Sequence, residues 1–270
     1  MNQSFDSVSI RQTILNMAYS GSSVHIACAF SIVEILAVLY SKHLRYPDGR
    51  SDHPLRDYLV LSKGHGVMAQ YACLLEMGWI NPDELTNYFK DGTRLRGLSE
   101  VGIPGVEVTS GSLGHGLSVG AGLALAAKRR DTAQRCYAII GDGEANEGSI
   151  WEALLFAAQF KLDNFIVIID KNDFQAMGHT SEILAPGDLV AKLKAFGFDA
   201  MSVDGHDEAA LHSALSAFEA QKDGRPKGLI AQTVKGKGVA FMENNNAWHY
   251  TRLDSETYAA ACRELKPAAK

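Results

Sequence analysis

Apolar residues fall in two rhythms along this chain. In the second half, short unbroken runs alternate with stretches in which apolar positions recur every three or four residues. Cys136 to Ile140 and Phe165 to Ile169 are apolar throughout. Runs of that length next to turn residues read as strands buried on both faces. Between them, 149–160 has helical spacing. Beyond them the pattern predicts a helix at 188–196, a strand at 198–203, a helix at 208–221 and a strand at 227–233. Strand and helix in alternation predict an α/β fold, a doubly wound and mainly parallel sheet flanked by helices.

The first half is richer in helix. Residues 5–20 carry Ile10, Ile14, Leu15 and Tyr19 on one stripe, and Ser20-Gly21-Ser22-Ser23 breaks the pattern. A second helix is expected from Phe30 to His43 on the spacing of Ile32, Ile35, Leu36 and Leu39, with His25 in the loop before it. A strand at 57–62 leads into Gly64-His65-Gly66 and a helix to Gly78. Asn81-Pro82 opens a short helix to Phe89, since Pro suits the first helical turn. A glycine-rich loop covers 92–108. The helix at 114–130 has a Gly and Ala side that allows close packing. The last helix, 255–265, is amphipathic and is expected to face a partner.

Composition narrows the class only slightly. The chain has 270 residues, 46% hydrophobic and 21% charged, as in ordinary soluble proteins. A net charge of −5 gives no reason to expect nucleic acid or membrane binding. Cys28, Cys73, Cys136 and Cys262 lack metal-ligand spacing, so free thiols in a reducing cytoplasm are expected. Met1 to Ser7 is polar and has no signal-peptide core. No apolar run reaches membrane-spanning length.

The chemistry is expected where the two apolar runs end. The first enters Gly141-Asp142-Gly143 and the second delivers Asp170-Lys171-Asn172-Asp173-Phe174. A right-handed crossover brings both turns to the same sheet edge, so Asp142 and Asn172 can meet. Their oxygens suit Mg²⁺, which shares its ligand shell with phosphates. Gly143 lets its N–H approach a phosphate, and the following helix points its positive end there. As plain turn chemistry, Gly-Asp-Gly is also a tight strand-to-helix turn. The second strand ending in Asp-x-Asn weighs against that reading.

Gly141-Asp142-Gly143 followed by Asn172 resembles the thiamine-diphosphate signature. Pro104-Gly105-Val106-Glu107-Val108-Thr109-Ser110-Gly111-Ser112-Leu113-Gly114-His115-Gly116 and Leu61-Ser62-Lys63-Gly64-His65 are similar to segments of the transketolase family. The resemblance implies the thiamine-diphosphate-binding fold over 1–270. It implies Asp142, Asn172 and the Phe174 carbonyl as ligands of Mg²⁺, for which Ca²⁺ or Mn²⁺ can substitute. His65, Gly111, Ser112, Leu113, Gly143, Asn172 and His249 would contact the cofactor, and His25, His65 and His249 would be catalytic. Glu147 and Glu152 would lie at a subunit interface. Lys235-Gly236-Lys237-Gly238 reads either as a phosphate-touching loop or as a solvated basic turn. Two departures stand out. The residues around His25 differ from the family's, and Leu98 stands where a donor-binding His is expected; Leu cannot hydrogen-bond a sugar hydroxyl.

The resemblance implies transfer of a two-carbon ketol unit from a ketose or ketose-phosphate donor to an aldose. The pyrimidine-binding and C-terminal domains are expected on a partner subunit, which would bring the activating Glu in an α2β2 assembly, with the chain alone inactive. Rival readings are a 1-deoxyxylulose-phosphate-synthase-like or 2-oxo acid decarboxylating subunit, or a non-catalytic scaffold. The Pro104 to Gly116 segment weighs against a 2-oxo acid dehydrogenase.

Overall fold

Five of the strands pair into one parallel sheet. The computed structural model describes residues 5–22 and 24–265. Met1 to Ser4 of the polar start, Ser23 of the expected helix break and the tail 266–270 lie outside the described residues. The strands are β1 (Tyr58–Leu61), β2 (Cys136–Gly141), β3 (Phe165–Lys171), β6 (Asp199–Asp204) and β7 (Lys227–Gln232). Their order is β1-β2-β3-β7-β6, all parallel. A two-stranded antiparallel hairpin, β4 (Phe174–Gln175) and β5 (Gly178–His179), lies apart from this sheet and runs into a single helical turn, α8 (Thr180–Ile183).

Side chains alternate across the sheet with the period of a strand. Leu59, Leu61, Tyr137, Ile139, Ile166, Ile168 and Leu229 point to one face. There they meet α1 (Ser7–Ser20), α2 (Ile26–Phe30), α3 (Val33–Val38), α4 (Val67–Glu76), α10 (Glu208–Ala220) and α11 (Ser255–Glu264). Val60, Ala138, Ile140, Val167, Ile169 and Ile230 point to the other, beneath α6 (His115–Arg129), α7 (Gly148–Gln159) and α9 (Leu189–Ala195). This double burial is why the strand sequences are continuously apolar. The doubly wound parallel fold expected from the sequence is therefore present.

Local expectations are corrected at three places. The helix expected over 30–43 is two helices and a π turn, with α2 starting at Ile26, α3 ending at Val38 and the turn spanning Leu39–His43. Ser31 bends it by donating to the Cys28 carbonyl (3.1 Å) and to Asp170 (2.7 Å). Consequently His25 sits at the start of a helix, not mid-loop. Tyr19 is 43% exposed and stacks on Tyr258 of α11 at 4.3 Å. Thus α11 turns its Tyr258 side toward α1. The short helix α5 spans only Pro82–Thr86, because the chain reverses at Phe89 with φ 56°. The helix after Gly-Asp-Gly begins at Gly148, close to the expected start at 149, and a 3₁₀ turn, Gly143–Asn146, lies between them. Among the described residues no helix is long and apolar enough to cross a membrane, and all four cysteines are free thiols.

A buried ion network ties α1 to the far end of the sheet. Arg11 donates twice to Glu34 (2.6 and 2.8 Å), and His206 Nδ1 lies 2.9 Å from Glu34 Oε2. Burial raises the Glu34 pKa, but the His206 and Arg11 hydrogen bonds outweigh it and hold the carboxyl at about 2. A depressed carboxyl pKa stabilises the fold above its ordinary value, and the benefit is lost as pH falls toward the folded value. Glu34→Gln is therefore expected to lower stability at pH 7 by on the order of 3 kcal/mol, a penalty that shrinks between pH 4.5 and 2. Denaturant titration at several pH values measures this. An equal loss at pH 7 and pH 3 would contradict it.

Candidate active site

The loops leaving β2 and β3 start side by side, because Gly141 pairs with Asp170 in register. The Asp142 carboxylate accepts the N–H of Asp173 at 2.7 Å and that of Gly143 at 2.8 Å. Asn172 donates its amide to Asp170 (2.9 Å) and accepts the Phe174 N–H (3.1 Å) on its oxygen. Since a carboxylate only accepts, Asp170 sets which way that amide faces. The two tips expected to meet are thus brought together, both buried. Gly143 is also needed for packing. Its N–H is taken by Asp142, and a Cβ there would come within 2.8 Å of Gln175 Cβ.

Asp170, at the end of the second apolar run, and Lys63 and Glu144, to which the sequence pattern gives no role, hold these tips. Asp170 is fully buried and accepts from Lys63, Thr233, Ser31 and Asn172. Burial opposes its charge, but Lys63 outweighs that and lowers its pKa. The Lys63 pKa is raised, since Asp170 overcomes the cost of burying the ammonium. Glu144 accepts from Ser62, from the Gly114 N–H (2.8 Å) and from the Gly141 N–H (3.1 Å), pinning three loops together.

Above the tips lies a cavity of about 430 Å³ whose wall includes His25, His65, His249, Asp142, Asn172 and Phe174. The three imidazoles form a triangle with ring centroids 5.2, 5.2 and 5.9 Å apart. Burial, then the Lys235 charge, lowers His25 to about 4 and His249 to about 3. Burial and Lys63 hold His65 well below its ordinary value. All three rings are neutral at pH 7. Gly111 and Leu113 line the cavity, whereas Ser112 is exposed, with its hydroxyl 3.3 Å from His115 Nδ1. Gly111 has φ 146°, and a Cβ there would meet Leu98 Cδ1 at 2.7 Å. Glu147 is at the cavity wall, and Glu152 is exposed further along α7.

Of the basic turn at 235–238, Lys235 is not solvated. It is 1% exposed, donates to Asn246 (2.6 Å), lies 3.0 Å from His249 Nδ1 and 5.3 Å from the Phe174 ring centre. Among the described residues it pairs with no carboxylate, and burial lowers its pKa. The sequence signal for it is the Lys-Gly-Lys-Gly run alone.

The residues fit a metal-bound diphosphate. Burial and then Asp170 push the Asp142 pKa up to about 7 against the pull of Lys63, and a divalent ion at the carboxylate would favour its charged form. The Gln175 Nε2 is buried without a partner at the cavity wall, and Lys235 adds a cation without a counter-charge. Among the described residues no three His, Cys, Asp or Glu side chains are grouped to hold a metal. An ion here would therefore take one carboxylate, an amide oxygen and non-side-chain oxygens, the set Mg²⁺ accepts.

A parallel sheet whose strand ends carry these loops defines a thiamine diphosphate binding domain. The family described as "Transketolase, thiamine diphosphate binding domain" matches residues 7–266, and the chain belongs to that family. It is 40% identical over 257 residues to an apulose-4-phosphate transketolase subunit of Actinobacillus succinogenes, covering 95% of this chain and 92% of that one. It is 38% identical over 243 residues to the 6-deoxy-6-sulfo-D-fructose transketolase subunit of a Clostridium species, covering 90% and 88%. Among solved structures, transketolase from Leishmania mexicana superposes with a TM-score of 0.88 at 30% identity. That match covers 96% of this chain but 40% of the longer one.

Proposed function

We propose that this chain is the diphosphate-binding subunit of a two-part transketolase that moves a two-carbon ketol unit from a ketose or ketose-phosphate donor to an aldose. Asp142, Asn172 and the Phe174 carbonyl hold Mg²⁺, with Ca²⁺ or Mn²⁺ able to substitute. His65, Lys235 and His249 face the diphosphate, and Gly111 and Leu113 lie against the organic part of the cofactor. The observation that carries this reading is the Asp142 to Asp173 hydrogen bond, which closes two strand-end loops on one buried carboxylate. The family match and the subunit names of the relatives support it.

When bound, thiamine diphosphate supplies the carbanion equivalent that ketol transfer requires. The chain's part is to position, to exclude water and to move protons. Neutral His25, His65 and His249 can take a proton from a substrate hydroxyl and return it. The His249 Nδ1 lies 3.0 Å from the Lys235 ammonium, which can only donate, so Nε2 carries the ring proton and His249 enters that exchange by giving its proton up first. Lys235 steadies negative charge beside it.

The activating Glu and the pyrimidine-binding domain come from a partner subunit in an α2β2 complex. Exposed Leu155 and Phe156 on α7 and Phe160 just past its end, near Glu152, support a covered face there. Free thiols support a cytoplasmic location. The chain mixed with thiamine diphosphate, Mg²⁺, a ketose phosphate and an aldose is expected to turn over only when the partner is added. Turnover by the chain alone would contradict the two-part assignment.

A further inference from the structure

A second cavity, about 360 Å³, opens beside the first, and the two share His25 and Leu98. Its wall is largely hydrocarbon, from Val24, Phe89, Leu98 and the ring of Tyr250. The wall is held in shape. Val24 and Thr251 exchange backbone hydrogen bonds (2.8 and 3.1 Å), which fixes the His25 segment against the segment carrying Tyr250. The Tyr250 ring then sits 4.7 Å from His25. Phe89 reverses the chain at φ 56°, and its ring lies against Gly97.

Few polar groups are available to a ligand here. Ser110 Oγ donates to the Leu61 carbonyl (2.6 Å), Thr109 Oγ1 accepts the Val101 N–H (3.1 Å), and Ser99 Oγ is buried. The charged groups at the rim are Arg96 and Glu100, both half-exposed and paired at 3.8 Å. Leu98 is the dividing residue. It is 42% exposed, leans on Gly111 and faces both cavities. A hydroxyl pressed against it loses water and gains no partner, whereas a hydrogen or methyl group loses nothing.

We propose that Leu98 and the apolar pocket it fronts set donor choice, selecting a ketose that presents hydrogen or a methyl group where a hydroxyl would meet Leu98. This rests on the ketol-transfer reading and names the donor class within it. The C2–C3 bond of the donor still breaks: C3 leaves as the aldehyde and gives up its hydroxyl proton, and the two-carbon unit, a ketol or from a 1-deoxy donor an acetyl group, bonds to the acceptor's aldehyde carbon, whose oxygen takes up the proton, so no oxidant or reductant is needed.

The test uses the chain assembled with its partner, thiamine diphosphate and Mg²⁺. Three donors are compared with one aldose acceptor: xylulose 5-phosphate, its 1-deoxy analogue and its 4-deoxy analogue. At least one deoxy donor is expected to exceed xylulose 5-phosphate in kcat/KM by about 10-fold or more, the scale on which one misplaced polar group discriminates. Leu98→His is expected to reverse that order, while Leu98→Ala weakens the preference without reversing it. The same order is expected in donor Kd values for complexes loaded with the unreactive 3-deazathiamine diphosphate. Preference for xylulose 5-phosphate in the wild type, or an order that Leu98→His leaves unchanged, would overturn the inference while ketol transfer stands. Failure of all three donors to react would overturn the ketol-transfer reading together with it.

Discussion

Asp142→Ala is expected to remove cofactor binding and with it all measurable ketol transfer in the assembled protein. Outer partners of metal ligands alone are worth about 10- to 100-fold in affinity, so loss of the ligating carboxylate should cost at least ~10²-fold. The fold should survive the change. In the absence of metal the Asp142 charge is poorly stabilised, with burial and Asp170 holding its pKa near 7. Its removal relieves that repulsion while freeing two backbone N–H groups, and the two effects oppose one another. Calorimetric titration with thiamine diphosphate and Mg²⁺, alongside melting of the cofactor-free protein, separates the two quantities. An unfolded variant, or one that binds cofactor as the wild type does, would contradict the assignment.

Lys63→Met is expected to have the largest effect on stability. It leaves the Asp170 carboxylate fully buried with only neutral donors from Ser31, Thr233 and Asn172. Removing one partner of a buried pair costs roughly 3–5 kcal/mol, because the other charge is left uncompensated. For a domain of this size that lowers Tm by roughly 10 °C. The double variant Lys63→Met/Asp170→Asn removes both charges and should recover more than half of the loss. Thermal melts of the wild type, the two single variants and the double variant form the cycle. Equal melting of Lys63→Met and wild type would show that the pair carries no such energy.

The features most legible in the sequence are those set by local repetition. Cys136 to Ile140 and Phe165 to Ile169 have to be central strands, because nothing else buries an unbroken apolar run between turn residues. Their ends then put Asp142 beside Asn172 without further information. What escapes are groups whose role depends on distant neighbours. Lys63 stands in a Ser-Lys-Gly-His run that draws notice for its His, and its partner Asp170 lies 107 positions away. Lys235 reads equally well as a surface turn, since sequence does not show that Val24 to Ile26 and Asn246 to His249 fold over it. The break of the 30–43 helix is hidden for the same reason, because Ser31 is drawn to a carboxylate on the central strand. Tyr19 keeps helical spacing yet sits at the edge of its stripe, where α11 covers only part of the ring.

The chain's organisation turns on one shared ion beneath the diphosphate. Crystals of the assembled protein grown with thiamine diphosphate and Mn²⁺, measured at an anomalous-scattering wavelength, test it most directly. A single peak is expected within about 2.2 Å of an Asp142 carboxylate oxygen, the Asn172 amide oxygen and the Phe174 carbonyl, in the range for small divalent ions. Bound cofactor with no peak there, or a peak touching neither Asp142 nor Asn172, would contradict it.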